Sequence, residues 1–493
     1  MKKIQSIHFV GIKGVGMAPL AIVAKEAGFK VSGCDIGEEF ITDAPLAKAG
    51  IIPKIGFSPS HIVSSTRAGG NSSGNSKVDL VITTGAHGGL DNPEVKFAKA
   101  KNIPVLTQGQ AVGEFMQGDM FGRSQIGISV TGSHGKTTST SIPATLLKES
   151  GMDPSFVVGT GDIPSLGSNG HFGKGKYFIA EADEYATEPV YDKTTKFLWQ
   201  HPKIAIFTNI ELDHTDLYPS LVDVHRVFLQ FAKSLSPDSV LVAYGGDQQI
   251  QKLIKEYHGR VITYGYTKGN DYILKKISVL EDQTFFWVDA FGNSMGEFVI
   301  SIPGEHNALN AVGALIAALE AGVGIENIKK GMIAFKGSKR RFEYVGKLAS
   351  GALLYDDYAH HPTEIKKTLS AFRIRFPKSK IVCIFQPHTY SRTKSLFEDF
   401  STSFSNADTV AISNIYSSLR EEPDLTVSSQ ALVLSIKRFH KDALFLPELL
   451  DVIKYIEQKQ FGKDTVVITM GAGDIYKVNQ KLKISSKGQS ASG

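Results

Sequence analysis

The sequence predicts an α/β protein in which three segments each form a largely parallel, doubly wound sheet. Short apolar runs rich in β-branched residues recur along the chain, and most of them are followed by a turn or a helical pattern. This alternation of strands and helices favours parallel sheets covered by helices on both faces. The length of 493 residues also exceeds one ordinary core and predicts several domains.

The composition narrows the class of protein. Hydrophobic residues make up 42% of the chain and charged residues 21%, which is typical of a soluble globular protein. The net charge of +5 comes from 54 basic and 49 acidic side chains, and this balance predicts no dedicated nucleic-acid partner. Two cysteines that are distant in sequence, Cys34 and Cys383, predict neither a disulfide framework nor a cysteine-based metal site.

Targeting signals are not predicted. The basic start Met1–Lys3 leads into a short apolar run and a Gly-rich turn, without the apolar core and cleavage site of a signal peptide. No run reaches the roughly 18 apolar residues that a membrane helix needs. We therefore predict a cytoplasmic protein without a membrane partner. Two Gly- and Ser-rich stretches, Arg67–Ser76 and the tail Ser485–Gly493, are predicted to be flexible.

The first segment opens with the pattern of a nucleotide-binding βαβ unit. A strand at Ile7–Val10 enters the glycine turn Gly11–Gly16, and a second strand at Lys30–Cys34 ends at Asp35. The glycine order is G-x-x-G-x-G rather than G-x-G-x-x-G, so an NAD-dependent oxidoreductase is a weak alternative. A tight turn without a ligand is the other interpretation.

The second segment carries the most informative motif of the chain. An apolar run ending at Val130 leads into Gly132–Thr138, where glycines precede Lys136 and a helix is expected to begin. Backbone N–H groups at such a helix start bind phosphate, the lysine reaches the β- and γ-phosphates, and the Thr137 hydroxyl reaches Mg²⁺. The motif departs from G-x-x-x-x-G-K-[ST] because Val130 stands at the first glycine position. A plain strand–turn–helix with a surface lysine is the alternative, and Pro143 predicts a kink in the helix.

Acidic residues follow two later strands of the same segment. Glu181, Asp183 and Glu184 end one strand, and Asp213 and His214 follow the next. Mg²⁺ prefers one or two carboxylates together with substrate phosphates, so these positions favour a metal site. Solvated loops and a structural histidine are the alternatives.

Three further motifs carry polar groups. Asn307 and Asn310 share one face of a helix start, where Asn307 either caps the helix or contacts a nucleotide. The basic cluster Lys336–Phe342 lies at a domain junction and, near a nucleotide, an arginine of it would neutralise phosphate charge. The third segment places two acids and two histidines within Asp356–His361, a pattern typical of metal, ribose or substrate contact. Arg392 follows a later strand and is suited to clamp a carboxylate.

In this order and spacing, the motifs resemble those of the Mur ligases, the ATP-dependent ligases of peptidoglycan precursor synthesis. The resemblance covers nearly the whole chain. The motifs that carry it are His8–Met17, Asp91–Glu94, Gly132–Thr138, Glu181–Glu184, Asn209–His214, His306–Asn310, Arg340–Phe342, Asp357–Glu364, Gln386–Arg392 and Gly471–Asp474.

The resemblance implies a three-domain Mur ligase architecture. A Rossmann-like N-terminal domain would bind a UDP sugar rather than NAD, and a central P-loop ATPase-like domain would bind ATP. A Rossmann-like C-terminal domain would bring the amino acid and close over the nucleotide. The predicted bounds are residues 1–124, 125–337 and 338–484, followed by the tail 485–493. The implied reaction forms an amide: ATP converts the muramate carboxylate to an acyl phosphate, an amine attacks it, and phosphate leaves. The implied partners are small molecules with Mg²⁺, and the implied assembly is a monomer or weak dimer.

The resemblance also implies roles by motif position. The implied catalytic residues are Lys136, His214 and Arg341. ATP contacts are implied for Gly132, Ser133, His134, Gly135, Lys136, Thr137, Thr138, Asn307, Asn310, Arg341 and Asp357. The UDP sugar would be bound by Gly11, Gly14, Val15, Gly16 and Asp35, and the amino-acid substrate by His361 and Arg392. Thr137 and Glu181 would hold Mg²⁺, with His214 near a second Mg²⁺.

Two branches of the family fit the sequence. Leu229 stands where several later-acting members carry a carbamylated lysine, as in the branch that adds L-alanine. In contrast, Asp183–Ala186 and Asp192–Phe197 resemble the branch that joins a preformed tripeptide to the same UDP sugar. The motifs that favour the L-alanine branch are Gln386–Arg392, Tyr416–Glu422 and Gly471–Asp474. We give these motifs more weight, because the third domain contacts the amino component.

Overall fold

The computed structural model describes residues 4–63, 78–418 and 421–485. It contains three large sheets, which the chain forms one after another. The stretch Arg67–Ser76, residues 419–420 of the Tyr416–Glu422 motif and residues 486–493 of the tail lie outside the described residues. The predicted start of the tail is wrong at Ser485, which pairs in the last strand of the third sheet. The predicted α/β class with largely parallel sheets is confirmed.

The first sheet has five parallel strands in the order β3-β2-β1-β4-β5. Its elements are β1 (Ser6–Val10), α1 (Ala18–Glu26), β2 (Lys30–Asp35), α2 (Asp43–Lys48), β3 (Lys54–Ile55), β4 (Leu80–Thr83), α3 (Pro93–Ala100), β5 (Val105–Thr107) and α4 (Gln108–Gln117). The strand order reverses direction between β1 and β4. In open parallel sheets this is the position at which ligands bind.

The second sheet has ten strands in the order β17-β16-β15-β14-β13-β12-β6-β9-β7-β8. Its elements, with the separate hairpin β10–β11, are β6 (Ile126–Thr131), α5 (Lys136–Glu149), β7 (Ser155–Val157), β8 (Gly170–His171), β9 (Tyr177–Glu181), β10 (Ala186–Glu188), β11 (Asp192–Thr195), β12 (Ile204–Phe207), α6 (Leu221–Ser234), β13 (Val240–Tyr244), α7 (Gln248–Glu256), β14 (Arg260–Gly265), β15 (Tyr272–Leu280), β16 (Gln283–Ala290), β17 (Asn293–Ile300), α8 (Glu305–Glu320) and α9 (Ile325–Ala334). The antiparallel extension β15–β17 was not predicted from the sequence.

The third sheet has seven strands in the order β22-β21-β20-β23-β19-β18-β24, and β18 is antiparallel to both of its neighbours. Its elements are β18 (Glu343–Leu348), β19 (Leu353–Asp357), α10 (Pro362–Arg375), β20 (Lys380–Phe385), α11 (Tyr390–Ser395), α12 (Phe397–Ser401), β21 (Thr409–Ile412), α13 (Ser429–Ile436), β22 (Ala443–Phe445), α14 (Leu449–Lys459), β23 (Thr465–Met470), α15 (Lys477–Lys481) and β24 (Ile484–Ser485).

Helix α5 is buried along most of its length, although its sequence is rich in hydroxyl side chains. Several of these hydroxyls donate within the helix, among them Thr140 to the Lys136 carbonyl at 2.8 Å and Thr145 to the Ser141 carbonyl at 2.9 Å. Internal bonds of this kind let polar residues lie in a core. Pro143 does not end the helix, which runs from Lys136 to Glu149 as one element. None of the helices in the described part of the chain combines the length and apolar character needed to cross a bilayer.

Candidate active site between the second and third sheets

The phosphate-binding loop connects β6 to α5. Gly132 has φ +141°, and a Cβ at this position would lie 2.0 Å from the Thr208 hydroxyl oxygen. Gly135 has φ +80° and is the N-cap of α5. Both conformations favour glycine. No side chain caps the described start of α5, so its backbone N–H groups are available to an anion.

The Lys136 ammonium group contacts both the loop and a carboxylate. Its Nζ lies 2.6 Å from the Gly132 carbonyl and 2.9–3.0 Å from both carboxylate oxygens of Glu184, which is 1% exposed. Burial by itself lowers the pKa of Lys136, but the combined attraction of Glu184, Asp183 and Asp213 outweighs this effect and raises the pKa above its usual value. The lysine is therefore charged at neutral pH.

The predicted metal residues form two groups. Glu181 accepts a hydrogen bond from the Gly159 N–H at 2.8 Å, and burial raises the pKa of its carboxyl although Lys136 and Arg341 act against this. Thr137 belongs to the same group as Glu181, because Arg341 acts on both residues. The Arg341 Nη2 lies 3.5 Å from the Thr137 hydroxyl oxygen. His214 belongs to the other group: its ring and the carboxylates of Asp183 and Glu184 place ligand atoms within 4.8 Å of one another.

A cavity lies between the phosphate-binding loop, the start of α8 and the third sheet. Seven of the residues predicted to contact ATP line it: His134, Gly135, Thr138, Asn307, Asn310, Arg341 and Asp357. The lining also includes residues to which sequence reasoning gave no site role, among them His306, Phe342 and Lys367. A lone lysine within a helix carries no pattern that marks it as a cavity residue, so Lys367 had no sequence signal. The lining thus joins the phosphate-binding loop to polar side chains of the third domain.

The start of α8 corrects one sequence interpretation. The N-cap is Gly304 at φ +116°, not Asn307. Asn307 lies inside the first turn, where its Nδ2 donates to the Pro303 carbonyl at 2.7 Å. Asn310 lies one turn later and packs against the phosphate-binding loop, since a Cβ on Gly135 would come within 3.2 Å of its Oδ1. Both side chains therefore face the cavity.

The two arginines of the basic cluster have different surroundings. Arg340 is buried and donates from Nε to Asp356 at 2.9 Å, forming an ion pair inside the third domain. Arg341 instead lines the cavity. Asp357 accepts hydrogen bonds from the backbone N–H groups of Phe342 at 2.7 Å and Ala359 at 2.8 Å, and burial raises its pKa to about 6. Asp357 therefore titrates close to neutral pH.

The two residues predicted to contact the amino acid bind the central domain in this structure. Arg392 forms an ion pair with Asp213, with Nη2 2.7 Å from the carboxylate oxygen. The His361 Nε2 lies 3.2 Å from the Leu212 carbonyl. The neighbouring Glu211 accepts from the Thr363 hydroxyl at 2.5 Å. The segment Glu211–Asp213, which follows β12, is thus one contact surface for the third domain, and sequence reasoning gave Glu211 and Asp213 no such role.

A separate site in the first domain contains the predicted UDP-sugar residues. The turn Gly11–Gly16 lies at the end of β1, beside the reversal of strand order, and Gly11 has φ +75°. Asp35 accepts from the Lys13 N–H at 2.7 Å, which fixes the turn against the end of β2. His87, after β4, brings its Nε2 to 3.4 Å from Asp35 and was not identified from the sequence. Gly14, Val15 and Gly16 are half-buried along the same turn.

Comparisons with known proteins agree with this architecture. Three family models match in chain order: the Mur ligase family catalytic domain over residues 6–119, the Mur ligase middle domain over 130–318, and the Mur ligase glutamate ligase domain over 340–473. The chain belongs to the Mur ligase family. Enzymes of this family use ATP.

Particular relatives are similar over nearly their whole length. A UDP-N-acetylmuramate–L-alanine ligase of Desulfitobacterium hafniense is 38% identical over 97% of this chain and 99% of its own. The enzyme of that name from Acetivibrio thermocellus is 36% identical, covering 97% and 95%. Among solved structures, UDP-N-acetylmuramate-alanine ligase MurC of Thermotoga maritima has a TM-score of 0.77 at 28% identity, covering 97% of both chains. A murein peptide ligase of Psychrobacter arcticus, at 23% identity and a TM-score of 0.69, shares the fold.

Proposed function

We propose that this chain is an ATP-dependent ligase that joins L-alanine to the carboxylate of UDP-N-acetylmuramate in peptidoglycan precursor synthesis. The observation that carries this proposal is the cavity that the phosphate-binding loop shares with Arg341 of the third domain, next to Glu181, whose carboxylate both Lys136 and Arg341 attract. The nearly full-length relatives with this activity in their names support the choice of substrates.

ATP would lie in the cavity with its phosphates at the start of α5. In this proposal the backbone from Gly132 to Thr138 binds the phosphates, and Asn307 and Asn310 face the nucleotide. Asp357 contacts the ribose. Lys136 and Arg341 stabilise the negative charge of the transferred phosphoryl group, a role in which fixed cations lower the barrier.

Oxygen donors suited to Mg²⁺ are present at this place. The Glu181 carboxylate is half-buried and its pKa is raised by desolvation, so a cation beside it would relieve an unfavourable desolvation. We propose Thr137 and Glu181 as ligands of one Mg²⁺, and His214, with Asp183 and Glu184, beside a second. When bound, Mg²⁺ neutralises phosphate charge. The carboxylates and Thr137 fit this ion by donor type, because it prefers oxygen ligands.

The chemistry requires activation because a free carboxylate is a poor electrophile. A muramate carboxylate oxygen attacks the γ-phosphorus of ATP, the bond to the β–γ bridging oxygen breaks, and ADP leaves. The amine nitrogen then attacks the acyl carbon, phosphate leaves with the bonding electron pair, and the nitrogen loses a proton. His361 and Arg392 are proposed to orient the amino acid, and the turn at Gly11–Gly16 with Asp35 to bind the UDP sugar.

The domain bounds 1–124, 125–337 and 338–484 are proposed from the sequence motifs and the three sheets. Ser485 is added to the third domain, because it pairs with β18. A cytoplasmic location and a monomeric or weakly dimeric state stay predictions.

The proposal is tested by measuring ADP release from ATP with purified protein. We expect release when UDP-N-acetylmuramate and L-alanine are present together with Mg²⁺, and loss of release when a chelator removes the metal. Equal turnover without the sugar nucleotide would contradict a ligase. An NAD-dependent oxidoreductase would instead bind nicotinamide at the first turn and would not need Lys136.

The same assay separates the two branches of the family. The motifs Asp183–Ala186 and Asp192–Phe197 favour a tripeptide as amine donor, and they frame the hairpin β10–β11. This hairpin touches the first domain, where the Tyr191 hydroxyl donates to Asp91 at 2.6 Å. We expect a higher kcat/KM for L-alanine than for L-alanyl-γ-D-glutamyl-meso-diaminopimelate. The opposite order would assign the chain to the recycling branch.

A further inference from the structure

One cluster of ionisable side chains joins the phosphate-binding loop to the third domain. His134 lies in the loop, and its Nε2 is 3.6 Å from Glu211, which follows β12. On the other side of the ring, Nδ1 is 3.6 Å from Glu364, in the first turn of α10. The ring also packs against His361, with centroids 4.3 Å apart. His134 therefore lies between a carboxylate of its own domain and one of the third domain.

The imidazole ring of His134 is buried but makes no close hydrogen bond to the part of the chain that the structure describes. Its side chain is 5% exposed, and neither ring nitrogen reaches a hydrogen-bond partner among the described residues. Buried polar groups are normally paired, so such a group needs compensation. Burial lowers the pKa of His134, but Glu211 and Glu364 outweigh that effect and raise it to about 9. At neutral pH the ring is an imidazolium between two carboxylates.

Both carboxylates are themselves fixed in place. Glu364 accepts from the backbone N–H groups of His360 and His361 at 3.0 and 3.3 Å, as part of the capping box of α10. Its side chain also faces the His360 ring at 3.2 Å and Arg341 at 3.7 Å. Glu211 is held by the Thr363 hydroxyl. A movement of α10 away from the central domain would therefore separate Glu364 from His134.

We propose that His134 is a positioning residue that couples the conformation of the phosphate-binding loop to the closure of the third domain over the nucleotide. The inference rests on the proposed function, because closure matters for a ligase that assembles its site from two domains. It adds that His134 links the phosphate-binding loop to α10, in addition to the phosphate contact proposed for Lys136. His134 acts through Glu364 and not on the reacting atoms.

The test is a double-mutant cycle on ATP kinetics with His134→Gln, Glu364→Gln and the double variant. We expect each single variant to lower kcat/KM for ATP about tenfold, mainly by raising KM, and the double variant to be no worse than either single one. Effects that multiply would overturn the inference, because they would mean that the two side chains act independently.

A matched pair in the central domain provides the control. His225 Nε2 lies 3.7 Å from Glu256, so this His–Glu pair has nearly the same separation, but both residues belong to the central domain. The variants His225→Gln and Glu256→Gln should leave kcat/KM for ATP unchanged. A tenfold loss in these controls would overturn the assignment, because it would show that any such pair in this domain affects turnover.

Small-angle scattering provides a readout that is independent of the sugar and the amine. Wild-type protein with saturating ADP should have a smaller radius of gyration than His134→Gln or Glu364→Gln under the same conditions. Equal compaction overturns the coupling even if ADP release confirms the ligase, so the two proposals fail separately. Loss of the circular dichroism signal would show that His134→Gln does not fold. The comparison of wild type with Glu364→Gln, a substitution in the third domain, then decides the outcome.

The pH profile gives a signature that a merely structural role would not produce. The folded-state pKa is raised from 6.5 to about 9, so the contribution of the imidazolium is fully present below pH 6.5 and is lost as pH rises through 9. The groups that face the ring are Glu211, Glu364 and His361, and Arg341 and His360 face Glu364. We expect KM for ATP to rise above pH 9 in the wild type and not in His134→Gln. A profile shared by both proteins overturns the role of the imidazolium.

Discussion

The guanidinium of Arg392 lies 2.7 Å from the carboxylate of Asp213, and both side chains are about 95% buried. Arg392 belongs to the third domain and Asp213 to the segment after β12, so the ion pair crosses the interface between them. Burial favours the neutral form of Asp213, but Arg392 together with nearby histidines outweighs that effect and holds the pKa of this carboxyl well below its usual range. Both groups are charged, and each compensates the other.

Asp213→Asn should weaken closure of the third domain, because it leaves a buried guanidinium without a countercharge. Removing one partner of a buried pair costs about 3–5 kcal/mol, so kcat/KM for both ATP and L-alanine should fall by at least about a hundredfold. The control is Asp223→Asn, which breaks the exposed pair with Arg226. Exposed pairs contribute about 1 kcal/mol or less, so this variant should be nearly unchanged. Equal effects of the two substitutions would disprove an interface role for Asp213.

Lys136→Ala should lower kcat by at least about 10²–10³, because it removes a fixed cation at the position of the transferred phosphoryl group. Steady-state ADP release measures this change. UDP-sugar binding, measured by calorimetry, should persist, since the first domain has its own sheet. The control is Lys148→Ala in the last turn of the same helix, where the lysine contacts the Ser165 carbonyl. Retained turnover in Lys136→Ala is the result that rules out the assignment.

Asp357 should make ATP affinity depend on pH near 6. Burial raises its pKa to about 6, so the carboxylate is charged above that pH and protonated below it. The charged form is the stronger hydrogen-bond acceptor for a ribose hydroxyl. KM for ATP should therefore rise as pH falls through 6, and Asp357→Asn should remove this step. The same raised pKa penalises the charged form in the folded state. The contribution of Asp357 to the free energy of unfolding should therefore be fully present below the ordinary pKa of 3.8 and be lost as pH rises through about 6. A step that persists in Asp357→Asn would assign it to another group.

Glu94 should be important for the stability of the first domain. Its buried carboxylate accepts from His8 at 2.8 Å, from His61 at 2.7 Å and from the Ser58 N–H at 2.8 Å. Hydrogen bonds to a charged group contribute about 1.5–3 kcal/mol each. Glu94→Gln should therefore lower the free energy of unfolding by a few kcal/mol, measured as a lower melting temperature by calorimetry. Glu114→Gln, at an exposed position of α4, should leave the melting temperature unchanged. A melting temperature of Glu94→Gln equal to that of the wild type would refute this role.

Much of the candidate site could be predicted from local sequence because its chemistry is local. A glycine-containing turn, a lysine and a hydroxyl side chain at a helix start form one contiguous motif, so Gly132–Thr138 was recognisable. Asn307, Asn310, Arg341 and Asp357 also lie at element boundaries, and the structure brings them to one cavity. Their roles in catalysis stay predictions.

Pairings between residues that are distant in the sequence could not be predicted in the same way. Glu184 was visible in an acid-rich strand end, but nothing in the sequence showed that its carboxylate holds Lys136. Asp213 and Glu364 were also part of recognised motifs, yet their partners lie 179 and 230 residues away in the chain, at Arg392 and His134. Residues this far apart in the sequence come into contact only through tertiary packing. Short sequence motifs do not show which of them will meet.

The sequence by itself determined the fold class, the order of the domains and the position of the phosphate-binding loop. These depend on hydrophobic periodicity and on backbone requirements, such as the glycine at φ +80° before α5, that act within a few residues. Only the tertiary structure decided which charges pair, which of Arg340 and Arg341 faces the cavity, and that His134 lies between carboxylates of two domains. Electrostatic pairing depends on distance and burial in space, and both are set when the domains pack together.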